Sequence, residues 1–387
     1  MSSLKQGWET ISFETCLEKI IYTKKIKRKE FLDNGKYPVV SQEKELVNGY
    51  WNNASDLFQI EKPIVIFGDH TKIIKFIDFN FVLGADGVKI LQPNKNIDSR
   101  YLFYYLQNIN LGDLGYARHY RLLKEINITY PKSLPEQQRI VAILDQAFST
   151  INQAKTNAQQ NLLNAKELFE SYLQNVFENK GDDWVEKRLG EVTSKIGSGA
   201  TPRGGKSSYK EEGISLIRSM NIHDFYFKEK NLAFIDEQQA NALSNVTLQE
   251  EDVLLNITGA SIARCCIVPK LYLPARVNQH VSIIRANKEI VNPVFLASLL
   301  TSKFFKDQIL EIGEQGATRQ AITKAQLENF LISFPKMIIE QENVIQSISI
   351  LKAETKKLEA VYQDKINNLD ELKKSILQKS FNGELVY

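Results

Sequence analysis

The amino-acid sequence predicts an α+β protein: two mixed α/β globules separated by two long helices that pair antiparallel, arranged as an internal pseudo-twofold repeat. Three observations predict it. A gap-free self-match runs at a constant offset of 204, from Pro131–Gln137 against Pro335–Gln341 to Glu167, Leu168, Ser171 and Phe177 against Glu371, Leu372, Ser375 and Phe381. Both matched stretches space their apolar residues in alternating steps of four and three, the seam of a paired long helix. The segments before them repeat more weakly, with Trp8, Phe13, Cys16 and Ile20 matching Trp184, Leu189, Val192 and Ile196 at offset 176.

The elements follow in order. A first globule takes residues 1–133, a first long helix 134–180, a second globule 181–335 and a second long helix 336–387. Within the globules, short apolar runs at Ile64–Phe67, Gly84–Leu91, Val253–Ile257 and Val277–Ile284 read as strands, and Arg100–Gln107 and Pro293–Thr301 read as short helices. The long helices pair through Ile140, Leu144, Ile151, Leu162 and Phe169 on the first and Val344, Ile348, Leu351, Leu358 and Ile366 on the second. A four-four step in mid-helix marks a stutter that locally unwinds the supercoil. Some 43 residues at 1.5 Å each give roughly 65 Å of helix, longer than a small domain is wide, so these helices read as spacers. The two offsets, 204 and 176, differ by 28, which places insertions in the second globule.

A chain of 387 residues, with 43% hydrophobic and 25% charged side chains, has the composition of an ordinary globular protein of two or three domains. No apolar run nears the ~18 residues of a membrane span, and the opening MSSLKQGWET is unlike a signal peptide, so a soluble, cytoplasmic protein without membrane contact is expected. Cys16, Cys265 and Cys266 lack both a disulfide framework and metal-ligand spacing. The net charge is only +3, but residues 1–133 hold 19 basic against 15 acidic side chains. An anionic partner must then be held by local patches rather than by the field of the whole protein.

Catalytic constellations are missing from the sequence. The run Ala200–Ser207 resembles a phosphate loop only loosely, because Pro202 interrupts it and neither a buried strand before it nor an apolar helix after it is present. His70, His119, His223 and His280 are scattered, with no pair at metal-binding spacing, and no Gly-x-Ser-x-Gly elbow occurs. No metal site and no bound cofactor are expected.

The loops are better suited to nucleic acid. Lys24, Lys25, Lys27, Arg28 and Lys29 pack five charges into six positions, as phosphate contacts require. Arg118, His119, Tyr120 and Arg121 interleave aromatic and basic groups, and Arg reads guanine bidentately. In the second globule Ser198, Thr201, Arg203, Lys206, Thr258, Ser261, Arg264, Asn278, Gln279, His280 and Arg319 lie in donor-rich loops with close-approach glycines. Asn and Gln suit adenine in a major groove, and small residues let backbone N–H groups near a phosphate.

With these residues in view, the whole chain resembles the specificity subunit of type I restriction-modification enzymes. The resemblance rests on Leu134–Ile140 (LPEQQRI), Gly316–Ile322 (GATRQAI), Thr201-Pro202 after Gly197-Ser-Gly199, and Ser380–Glu384 (SFNGE), in the order globule, helix, globule, helix. It implies two target-recognition domains, each reading one half of a bipartite site in double-stranded DNA, held apart by the paired helices. It also implies catalysis by partners: two methyltransferase subunits carrying S-adenosylmethionine, and two translocating endonuclease subunits using ATP and Mg as optional additions. Two other readings compete. One is a self-contained DNA-cleaving or DNA-modifying enzyme, with Glu211, Glu212 and Asp252 as its first candidate carboxylates. The other is a protein-binding adaptor that has lost DNA binding.

Overall fold

The computed structural model describes residues 6–112, 114, 115, 117–314, 321–382 and 384. It divides the chain into two units, Met1–Gln159 with Gln363–Tyr387 and Gln160–Tyr362. Eight helices are described: α1 Ser99–Asn108, α2 Tyr120–Lys124, α3 Leu134–Glu178, α4 Glu237–Ala242, α5 Pro293–Thr301, α6 Lys303–Glu314, α7 Lys324–Asn329 and α8 Ile338–Phe381. The two long ones have 45 and 44 residues.

In the first unit, Trp8–Ser12 pairs antiparallel with Asn127–Pro131, so the chain enters and leaves the globule side by side. Between them lie a three-stranded sheet (Ile74–Ile77, Ile64–Gly68, Val88–Leu91) and a second sheet built around Phe81–Gly84. Asp98 caps α1 by accepting from the N–H groups of Arg100 and Tyr101, both at 2.9 Å, which satisfies two of the orphan donors of a helix start. The second unit repeats the plan. Trp184–Arg188 pairs with Leu331–Pro335, Val253–Asn256 lies between Val281–Ala286 and Cys265–Ile267, and Asn292 caps α5 with Pro293 in the first turn. This unit adds a three-stranded sheet (Ala233–Ile235, Ile214–Ile217, Ala275–Val277) and a hairpin at 222–227.

The repeat offset localises the insertions. It is 176 at Trp8 and Trp184, 188 at Val65 and Val253, 193 at Val88 and Val281, and 204 at Asn127 and Leu331. Length changes therefore fall in the connections between shared strands, while the strands themselves are kept.

Each globule draws both long helices into its core. Ile140, Leu144 and Phe148 of α3 and Leu377 and Phe381 of α8 bury against Phe13, Phe67, Tyr101 and Ile128. In the second unit Leu173 and Phe177 of α3 and Ile348 of α8 bury against Leu189, Leu255 and Phe295. One aromatic contact is duplicated, edge-to-face, as Tyr101–Phe381 at 5.3 Å and Phe177–Phe295 at 5.6 Å. The helices run antiparallel where they meet: Lys373 lies over the Phe148 ring, and Asp370, earlier on α8, binds Lys155, later on α3, at 2.6 Å.

The seam departs from the sequence expectation at one named position. Ile140, Leu144, Ile151, Ile348 and Ile366 are buried, and Leu162, Phe169, Val344 and Leu351 are half-buried. Leu358 is instead 41% exposed. Burial on α8 runs Gln341, Ile348, Thr355 in sevens and then Ile366 and Leu377 in elevens. An eleven-residue step of about 3.67 residues per turn keeps one face inward along a nearly straight path with a slight right-handed drift, in place of the left-handed supercoil of a heptad, and Leu358 lies off that face.

Candidate nucleic-acid interface

Three loops meet at one end of the sheet in each unit, held by the same backbone clasp. In the first unit the Asp69 N–H donates to the Gly87 carbonyl (2.7 Å), and the Asp69 carbonyl accepts from the His119 N–H (2.8 Å). In the second unit the Ile257 N–H donates to the His280 carbonyl (3.0 Å), and the Ile257 carbonyl accepts from the Ile322 N–H (2.9 Å). The segments around 69–72, 85–87 and 117–121 thus correspond to those around 257–264, 278–280 and 321–322. This arises because the central strand of each sheet ends between the two other connections.

In the second unit the clasp gathers five of the sequence-selected residues. Thr201 Oγ1 donates to Gln279 Oε1, Gln279 Nε2 lies 3.1 Å from His280 Nε2, and His280 Nδ1 bonds Thr258 Oγ1. The Asn278 carboxamide is buried and accepts from the His280 N–H, which shapes the turn. In the tautomer that lets Nε2 accept from Gln279, His280 donates from Nδ1 to Thr258 Oγ1. Gly199 reaches this cluster only because it lacks a side chain: a Cβ there would stand 1.6 Å from the Val277 carbonyl oxygen. Ser261 accepts from the buried Asn256 amide at the base of the loop, and Arg264 is half-buried nearby. Ser198, Arg203 and Lys206 are exposed on the strand end and turn beside the cluster. Arg319 lies outside the described residues, although Ala321 bridges to Thr258.

The first unit differs from its sequence reading. Of the basic run, Lys24, Lys27 and Lys29 are exposed, but Arg28 binds Glu43 at 2.8 Å, and Lys25 turns inward to the Val88 carbonyl at 3.3 Å and over the Tyr22 ring. Burial, with Lys89 close by, holds Lys25 below the usual lysine range. His119 is corrected outright as a ligand-facing residue. It is 1% exposed, its Nδ1 faces the Asp69 carbonyl at 3.2 Å and its Nε2 accepts from the Leu114 N–H, so the ring braces the loop from inside. Tyr120 is half-buried against Phe13 and Phe67. Arg118 and Arg121 remain outside, because a short helix turn alternates the aromatic and basic side chains between core and solvent.

Sequence reasoning overlooked Asp69 and Lys89. Asp69 is 2% exposed and accepts from the Tyr120 N–H at 2.8 Å, while Lys89 Nζ sits 3.9 Å from its carboxylate and 5.2 Å from the Tyr120 ring centre. Lys89 opposes Phe67 in an otherwise apolar strand, and that interrupted strand pattern was the available signal. The carboxylates of the enzyme reading do not converge. Asp252 is buried in a bidentate pair with Arg285, both contacts at 2.7 Å, and Glu211 and Glu212 are exposed on a separate loop. The cysteines are buried free thiols, and burial pushes Cys16 and Cys266 up to about 12.

Residues 5–162 and 181–368 match the family described as the type I restriction modification DNA specificity domain. The chain belongs to this family. Similar proteins include the EcoR124I/EcoR124II specificity subunit of Escherichia coli, 25% identical over 83% of this chain and 80% of that one. The MjaVIII specificity subunit of Methanocaldococcus jannaschii is 25% identical over 76% and 74%. The fold resembles that of the HsdS subunit from Thermoanaerobacter tengcongensis, with a TM-score of 0.59 at 18% identity over 99% and 98% of the two chains. A chain from a structure concerned with assembly and conformational transition of the type I R-M system gives 0.73 at 17% identity over both full lengths. The family's description is that of a DNA specificity domain of type I restriction-modification systems, and its name implies recognition of DNA sequence. Among the described residues no helix is long and apolar enough to cross a membrane.

Proposed function

We propose that this chain is the non-catalytic specificity subunit of a type I restriction-modification complex and reads a bipartite site in double-stranded DNA, one half with each globule. The observation that carries the reading is the duplicated three-loop cluster. Polar and basic side chains stand there on rigid strand ends, at the same structural place in both copies, with different residues in each. Scaffold kept and loops varied is what two independent base readers need.

On this reading catalysis resides in partners. Two methyltransferase subunits carrying S-adenosylmethionine dock on the long helices, and two endonuclease subunits using ATP and Mg join the complete enzyme, in the cytoplasm. An open groove of about 620 Å³ between α3 and α8, lined by Ile143, Ala147, Ile151, Leu372 and Ile376, supplies an apolar surface for a partner helix. The test is co-expression with the cognate methyltransferase and mapping of methylated adenines in the host DNA. A split motif is expected, and exchanging residues 10–125 for those of a relative should change one half alone. If both halves changed together, the modular reading would fail.

A further inference from the structure

The two globules share one polar device at the point where each joins its long helix. Gln137, in the first turn of α3, is fully buried; its Nε2 donates to the carbonyls of Pro131 (2.8 Å) and Asn96 (2.9 Å), and its Oε1 accepts from the Asp98 N–H (2.8 Å). Gln341, at the same place in α8, is fully buried and repeats all three bonds, to the carbonyls of Pro335 (2.8 Å) and Ile290 (3.1 Å) and from the Asn292 N–H (2.8 Å). One carboxamide thus ties three separate pieces together: the last strand of the globule, the start of the long helix, and the cap of α1 or α5. Those short helices lie on the sheet whose strand ends carry the clustered loops.

Other polar contacts at the first junction are not shared. Arg100 Nε and the Tyr104 hydroxyl both bind Asp145 of α3, whereas the matching positions in the second unit are Val294, Ser298 and Ser349. The device present in both copies is the carboxamide lock. All of its donors and its acceptor are used, so no other side chain replaces it: Glu lacks the two N–H groups and Asn lacks the reach.

The lock has a consequence for DNA, which rests on the reading that each globule addresses its own half-site. Adding one base pair between half-sites moves one of them about 3.4 Å along the duplex and turns it about 35° around it. A long helix does not bend enough to follow, so tolerance of altered spacing must come from rotation of a globule on its helix. We propose that Gln137 and Gln341 are positioning residues that hold each globule at a set angle on its long helix and thereby set the half-site spacing the complex accepts.

The experiment uses the full chain with its methyltransferase partner and duplexes in which the two mapped half-sites are separated by two fewer to two more base pairs than in the host motif. Gln137→Met and Gln341→Met keep volume and remove the bonds. Each is expected to lower the preference for the native spacing over a one-base-pair change about tenfold, with a smaller loss on the native site itself, tenfold being the free energy of one good hydrogen bond. Leu144→Ala, which loosens the core without touching the lock, is expected to leave that preference intact. An unchanged preference in both Met variants would overturn the proposal, as would equal relaxation by Leu144→Ala. If one Met variant fails to fold, the other junction carries the same test. A wild-type complex that ignores the spacing altogether would instead sink the bipartite reading itself.

Discussion

Residues in the candidate interface divide by what their side chains already hold. Lys24, Lys27 and Lys29 are exposed, while Arg28 is paired with Glu43 and Lys25 is drawn toward the Val88 carbonyl and the Tyr22 ring. Charges that are already compensated release fewer counterions on meeting a phosphate. Replacing Lys24, Lys27 and Lys29 together by Gln is therefore expected to flatten log K against log salt by up to about 2.7 units for the assembled complex, at about 0.9 per lost contact. Replacing Lys25 and Arg28 alone should change the slope by well under one unit. A salt titration that ranks the two sets the other way round would show that the internal partners let go on binding. His119 makes the same point from the opposite side: its spacing among arginines suggested a ligand, and its burial makes it a brace.

Elements are governed by which face of a long helix meets the core. On α8 the inward positions follow sevens up to Thr355 and elevens afterwards, so neighbours that look alike in sequence have different fates. Ile348 is 3% exposed in the core of the second unit, and Leu358 is 41% exposed. Ile348→Ala removes buried methylenes and leaves a cavity, and is expected to cost about 2–5 kcal/mol. Leu358→Ala should cost within about 0.5 kcal/mol, as surface substitutions do. Urea denaturation of the two variants checks both, and equal losses would mean that Leu358 packs as a regular heptad predicts. The duplicated caps at Asp98 and Asn292 and the duplicated Gln137 and Gln341 show where polar groups, rather than apolar stripes, fix how an element begins.

The whole molecule is built so that neither globule is complete without both long helices. Truncation after Lys180 leaves the first globule and α3 but removes Leu377 and Phe381, which fill its core beside Tyr101. At the constant offset of 204 those two positions correspond to Leu173 and Phe177 of α3. A second copy of residues 1–180 can therefore supply its own Leu173 and Phe177 to the vacated places, in the antiparallel sense the intact chain uses. The fragment is expected to form a homodimer, because burying each such side chain contributes about 1.5–3 kcal/mol and the exposed seam has no other cover. Sedimentation checks this, with Phe177→Ser in the fragment expected to give a monomer or an unfolded chain. A stable, well-folded monomer of residues 1–180 at micromolar concentration would refute it.

The repeat, the two long helices, the order of elements and the family resemblance were all legible in the sequence by itself. Periodicity and self-similarity are properties of spacing, and spacing survives without coordinates. The loops of the second unit were legible for the same reason, since glycines and small polar residues mark turns wherever they fall. What only the tertiary structure decided was the use of each side chain. The sequence shows that Gln137 and Gln341 are repeated but not that they are buried, it does not single out Asp69 and Lys89, and the burial of His119 and the exposure of Leu358 run against their spacing. Gln137, Gln341, Asp69, Lys89 and His119 each meet a partner more than ten residues away, brought close by strand pairing and helix docking. Burial is a property of the packed fold, and burial is what separates a brace from a contact.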